Sequence, residues 1–224
     1  SVLYNTYWVR FNHVTFQHSI AVEHLLALIA AAKAAGVQRF VHVSITNPSK
    51  ESHLEYFSGK AIVEESLIKR GMSYCILRPT VLFGKEDILI NNIAWAVRRF
   101  PCLGVFGDGE YRLQPIFVDD LAEIAVAKGG ERANEILDAI GPETFTYKAL
   151  VHQIARAMGL KRLVLPMPPM LVYLVGKVIG WLVGDIMVTK EEMAGLMENL
   201  LFTHSPPLGK TRLSQWLIEN QREL

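Results

Sequence analysis

The chain has 224 residues, half of them hydrophobic and a fifth charged, with a formal net charge of +1. That length can bury the core of one large domain, or of a domain with an appendage. The balanced charge, with no Lys/Arg run, excludes an electrostatic claim on nucleic acid. Two cysteines, Cys75 and Cys102, give neither a metal spacing nor a disulfide framework, and Cys75 in its apolar run reads as a buried thiol.

In chain order, "VLYNTY" opens as a strand. "TFQHSIAVEHLLALIAAAKAAG" follows with apolar residues at helical spacing and Gly36 as its stop. "RFVHVSI" is a β-branched run suited to a buried parallel strand. "SHLEYFSGKAIVEESLIKRG" predicts a helix with Ser52 as its cap and Gly71 as its end, and "MSYCILRP" another buried strand closed by Pro79. Helix, strand, helix, strand with short joints predicts an α/β fold, a doubly wound parallel sheet.

The second half is less regular. "INNIAWAVRRF" predicts a helix, then a loop holding Pro101 and Gly104, then a Gly-Asp-Gly turn into the strand of "FGDGEYRLQPIFV". "DDLAEIAVAKGG" starts a helix with acidic residues at its N-terminus, "EILDAIG" is a strand, and "TYKALVHQIARAMG" is a helix capped by Thr146. From residue 161 the pattern is apolar helix, Pro-rich joints and a polar C-terminal helix. The expected division is residues 1–160 as a nucleotide-binding domain and 161–224 as a small, mostly helical lobe.

A dinucleotide-binding sheet carries its glycine fingerprint in its first strand-to-helix turn. Neither G-x-G-x-x-G, nor G-x-x-G-x-x-G, nor a P-loop pattern occurs, and "GVFGDG" leads into a strand instead of a helix. If "VLYNTY" is an internal strand, about three βα units of about 30 residues each belong upstream of it. The chain is therefore expected to be the back portion of a larger Rossmann-type domain.

The chemistry concentrates in "HLEYFSGKAIVEESL". On a helix Tyr56 and Lys60 are one turn apart on the same face. A free phenol ionises near pH ~10, and an adjacent ammonium favours the phenolate, so the pair can exchange protons with an alcohol or carbonyl. Ser44, where "RFVHVSI" ends, is placed to hold a substrate oxygen, and carboxyl ends of strands are where open α/β sheets put their sites.

Four stretches in order resemble the short-chain dehydrogenase/reductase superfamily in its extended and atypical branches: "AAKAAGVQRFVHVSI", "YFSGKAIVEESLIKRGMSYCILRPTVLFG", "PIFVDDLAEIAVA" and "ILDAIGPETFTYKALVHQIARAMG". Together they span about residues 1–160. Within that superfamily, "LRPTVLFGKED" and "LQPIFVDDLA" are most similar to the NDUFA9-type accessory-subunit group of respiratory complex I, a nucleotide-binding, epimerase/dehydratase-like family. The resemblance implies NAD or NADP as cofactor, the choice being unreadable because the selector after the second strand is outside the chain. It implies Tyr56 as acid/base and Ser44 as the residue orienting substrate. Lys60 would lower the tyrosine pKa and hold the nicotinamide ribose. Pro79, Thr80 and Val81 would line the nicotinamide, Thr6 would touch the cofactor's backbone or ribose, and Arg112 and Gln114 would reach the substrate. It leaves two functions open: an oxidoreductase or epimerase-like enzyme working on a hydroxyl or carbonyl group, or a non-catalytic nucleotide-binding subunit or sensor of a larger assembly.

No metal site is expected, since His13, His18 and His24 lack a ligand spacing. No G-x-S-x-G elbow surrounds Ser44, and His42 between two valines reads as packed. The apolar stretch 166–188 carries Lys177 and Asp185 and predicts a buried or interfacial helix instead of a spanning one. It could line a pocket for an apolar small-molecule substrate, or dock on a membrane or a partner subunit. A homodimer is a further expectation. No signal peptide opens the chain, and the expected location is cytoplasmic, with the mitochondrial matrix as the alternative.

Overall fold

A computed structural model describes residues 1–184 and 188–221; Asp185 lies outside the described residues. In chain order the elements are β1 (Val2–Asn5), α1 (His18–Ala34), β2 (Arg39–Val43), α2 (Glu55–Lys69), β3 (Ser73–Pro79), β4 (Leu82–Phe83), α3 (Leu89–Arg99), β5 (Cys102–Phe106) and β6 (Arg112–Leu113). There follow β7 (Ile116–Phe117), α4 (Val118–Gly129), β8 (Glu135–Ala139), β9 (Phe145–Thr146), α5 (Tyr147–Ala157), β10 (Leu163–Met167), α6 (Pro169–Val183), α7 (Lys190–Met197) and α8 (Leu213–Glu219). Contacts divide them into two compact units, residues 1–79 with 120–139 and residues 80–119 with 140–224.

The first unit is a parallel sheet of order β1-β2-β3-β8, the α/β Rossmann-type arrangement that the sequence predicts. Register and the two-residue strand period set its faces. Leu3, Phe40 and Tyr74 are paired neighbours, as are Asn5, His42 and Ile76, so one face carries them all. Phe40 and Ile76 pack there against Leu25 and Ile29 of α1 and Val63 and Leu67 of α2. The opposite face carries Tyr4, Arg39 and Cys75, and is covered by α4. Buried Arg39 donates to the carbonyls of Lys128 (2.7 Å) and Ala133 (2.9 Å) and to the Ser73 hydroxyl (2.7 Å). A cation at the carbonyl end of a helix is the favourable placement for the helix dipole. With helices on both faces, the sheet is doubly wound.

The helix stops at Gly36 and Gly71 hold, both in the left-handed region at φ 71° and 69°. The expected cap at Ser52 does not. Helix α2 begins at Glu55 with Leu54 as its N-cap, while Ser52 Oγ accepts the Leu54 N–H at 3.2 Å and closes a turn before the helix.

The second unit buries Phe83, Ile90, Ala94, Val97, Leu113, Leu150 and Ile154 in one core between α3 and α5. Thr146 caps α5 as expected, accepting the Ala149 N–H at 3.2 Å. The loop expected around Pro101 and Gly104 is instead strand β5, paired in parallel with β10, a strand that the sequence did not signal. Gly104 explains why β5 tolerates a glycine: a Cβ there would lie 2.5 Å from Met167 Sδ and 3.3 Å from Val172. Among the described residues, no helix is long and apolar enough to cross a membrane.

Candidate functional site

In the first unit the carboxyl end of β2 and the first turns of α2 gather the polar groups. Ser44 lies one residue beyond β2 and is 3 % exposed; its N–H donates to Leu77 O at 2.7 Å, which zips the two strand ends together. Among the described residues its hydroxyl has no hydrogen-bond partner. A buried hydroxyl without a partner costs free energy, so this one is chemically able to bond a ligand oxygen.

Tyr56 and Lys60 both fall within α2, one turn apart, as the spacing predicts. Lys60 is 2 % exposed and donates to Val43 O at 2.9 Å. Burial pushes its ammonium down to about 7, with the Glu64 carboxylate partly opposing the shift. Glu64, one turn further along and also buried, is clamped by Arg78 through two charge-assisted bonds of 3.0 and 2.5 Å. Beside Lys60 on the sheet, His42 is fully buried and its Nδ1 meets Asn5 Nδ2 at 2.8 Å. Burial, then the Lys60 charge, holds His42 well below the ordinary histidine range, so it stays a neutral packed imidazole, as its place between two valines predicts.

Trp8, which sequence reasoning passed over, ties these groups together. Its ring lies 4.5 Å from Lys60 Nζ, edge-on to Tyr56 at 5.7 Å and stacked on His18 at 5.8 Å. The ammonium therefore has a carbonyl on one side and an aromatic face on the other. Gly59 makes room for that ring, since a Cβ there would lie 3.0 Å from Trp8 Cη2 and 3.1 Å from Val22. A glycine inside an otherwise strong helix was the one available signal of a close approach.

Thr6 is exposed just past β1, and Pro79 closes β3 with its carbonyl accepting the Thr46 N–H at 3.0 Å. The remaining sequence-predicted residues belong to the second unit. There Thr80 Oγ1 donates to Gln114 O, and Val81 O accepts the Ile116 N–H. The Gln114 amide clasps the backbone of Thr203 on both sides, at 3.2 and 2.9 Å. The Arg112 guanidinium lies 3.6 Å from the centre of the Phe202 ring. Among the described residues no group of three His, Cys, Asp or Glu side chains could hold a metal ion.

Residues 5–86 match the NmrA-like family. The chain is 32 % identical over 176 residues to the mouse (Mus musculus) protein named NADH dehydrogenase (ubiquinone) 1 alpha subcomplex subunit 9, mitochondrial, covering 75 % of this chain and 45 % of that one. It spans about half or less of the curated NADH dehydrogenase relatives it matches. Among solved structures, the Citrobacter triphenylmethane reductase complexed with NADP(H) superposes with a TM-score of 0.76 at 14 % identity, covering 98 % of this chain and 75 % of that one. The Escherichia coli quinone oxidoreductase QOR2 complexed with NADPH gives 0.76 at 18 % identity, covering 97 % and 75 %. Those two likenesses are of fold.

Proposed function

We propose that this chain, whose NmrA-like match and NADH dehydrogenase relatives support a place in the extended, atypical branch of the short-chain dehydrogenase/reductase superfamily, is an NAD(P)-dependent oxidoreductase or epimerase-like enzyme working on a hydroxyl or carbonyl group. The observation that carries the proposal is the buried Lys60 ammonium, joined to Tyr56 through a shared contact with Trp8 on a helix beside the partnerless Ser44 hydroxyl. That polar set fits the reacting end of a nicotinamide cofactor: a hydroxyl free to meet a substrate oxygen, a phenol, and a cation. Lys60 would hold the cofactor, with Thr6 and Pro79 near it along the strand ends; Thr80 and Val81, in the other unit, carry over from the resemblance, as do Arg112 and Gln114 for substrate. When bound, the cofactor supplies or accepts hydride.

The chain's own residues account for the proton. Tyr56 passes the phenolic proton to a carbonyl oxygen as negative charge develops there, or takes one from an alcohol in the reverse direction. Ser44 Oγ donates to the same oxygen and orients it. Lys60, poised near neutrality, stabilises the phenolate while it is charged, which is below a pH of about 7 in this structure. His42 and Asn5 hold β2 beneath the site without titrating.

A second reading is favoured by Trp8 itself, because its ring lies 4.5 Å from a Lys60 ammonium that is only 2 % exposed. In that reading the chain is a non-catalytic nucleotide-binding subunit of a larger assembly, a role with which the word subunit in the names of its NADH dehydrogenase relatives is compatible. Tyr56→Phe separates the two. The enzyme should lose turnover by about 100-fold or more in NADPH- or NADH-dependent reduction of a carbonyl and quinone panel, with nucleotide binding unchanged. Equal activity of wild type and variant would leave only the accessory role. We place the chain in the cytoplasm, with the mitochondrial matrix as the alternative compatible with those relatives' names.

A further inference from the structure

Helix α6 turns the usual pattern of a surface helix inside out. Its packed side sets Val172 against the core of Phe106, Tyr111 and Leu196. On the other side Met170, Leu171, Leu174, Val175, Val178 and Trp181 are 54, 44, 52, 47, 59 and 82 % exposed. At 100° per residue those six side chains fall within an arc of about 140°, one continuous apolar stripe. Just upstream Leu163 and Leu165, on one side of β10, are exposed as well. An open apolar surface of this kind marks an interaction site and is not ordinary surface decoration.

Charge identifies the occupant. From residue 161 to 188 there are three cations, Lys161, Arg162 and Lys177, against one acidic residue, Asp185, which lies outside the described residues. Lys177 Nζ lies 6.0 Å from the Tyr173 ring and Lys190 Nζ 5.6 Å from the same ring, so two ammonium groups flank an aromatic at the margin of the stripe. Among the acidic residues beyond, Glu192 is committed to the capping box at Thr189. Fifteen helical residues reach about 22 Å, short of the ~30 Å hydrocarbon core of a bilayer. The helix can lie in a bilayer surface but cannot cross it. Exposed tryptophan, an apolar face and cations at its margin are the features of a helix that lies in the headgroup boundary of anionic lipid.

We infer that α6 is a peripheral membrane-docking helix, its Met170–Trp181 stripe entering the headgroup boundary and Lys161, Lys177 and Lys190 meeting anionic phospholipid. The inference is independent of the redox reading, since it uses none of the residues placed there.

The test is flotation of the full chain with vesicles of phosphatidylcholine alone and of phosphatidylcholine with a quarter phosphatidylglycerol, following tryptophan emission. Wild type should float with the anionic vesicles and shift its emission to the blue, and this blue shift should vanish in Trp181→Phe. Binding should weaken with added salt. Val178→Asp should reduce it at least tenfold with the circular dichroism spectrum unchanged. Lys177→Gln, on an exposed side chain that no fold element requires, should weaken anionic binding by about fivefold and leave neutral vesicles unaffected. A folded wild type that floats with neither vesicle overturns the inference, as does a Val178→Asp variant that floats normally. A dimer in sedimentation that Val178→Asp dissociates, without vesicle binding, would assign the stripe to a second copy of the chain instead.

Discussion

Helices α2 and α6 have the same length, fifteen residues, and break the burial rule in opposite directions. Helix α2 hides charge: Lys60 is 2 % exposed and Glu64 4 %. Helix α6 shows grease: Val178 is 59 % and Trp181 82 % exposed. Charged residues are almost never fully buried unless paired, and contiguous apolar surface is rarely left open. Glu64 is paired with Arg78, so the departure in α2 is Lys60 and the departure in α6 is its open stripe. In α2 the protein accepts a desolvation cost to hold an ammonium between the Val43 carbonyl and the Trp8 ring. In α6 it leaves hydrophobic free energy to be recovered on contact with something else.

The comparison breaks most readily at Glu64. Glu64→Ala leaves the half-buried Arg78 guanidinium without its bidentate partner, which should cost about 2 kcal/mol in urea unfolding. A pH-dependent effect is expected at Lys60. Its folded value of about 7 lies below the ordinary 10.5, so between those two values the unfolded chain binds the extra proton and wild-type stability rises with pH. Lys60→Met should therefore be more stable than wild type by about 2 kcal/mol at pH 6, offset in part by the lost bond to Val43 O. That advantage should shrink steadily from pH 7 to pH 10. A difference constant across that range would mean the ammonium is not desolvated in the fold. The smallest effect belongs to α6: Val178→Ser should change unfolding free energy by under about 0.5 kcal/mol, since the side chain packs on little. A large loss there would mean that the stripe is core.

The parts of the fold set by local pattern were legible. The β-branched runs at residues 39–43 and 73–79 form adjacent parallel strands because their side chains suit a sheet buried on both faces. Gly36 and Gly71 stop their helices because only glycine enters the left-handed region without strain. Tyr56 and Lys60 share a face because 3.6 residues make a turn. Strand β5 was not legible. Its glycine suggests a loop until Met167 and Val172, more than sixty positions away, are seen to need the space.

What the sequence by itself determined is therefore the alternation of strands and helices, their stops and the spacing of the Tyr56–Lys60 pair, since each depends on residues within a few positions of one another. Tertiary structure decided the rest. It placed Trp8 over Lys60 from fifty-two positions upstream, buried that lysine against Val43 O, left Ser44 without a partner, and turned one side of α6 to solvent. Burial depends on which neighbours arrive, and no local pattern carries that information.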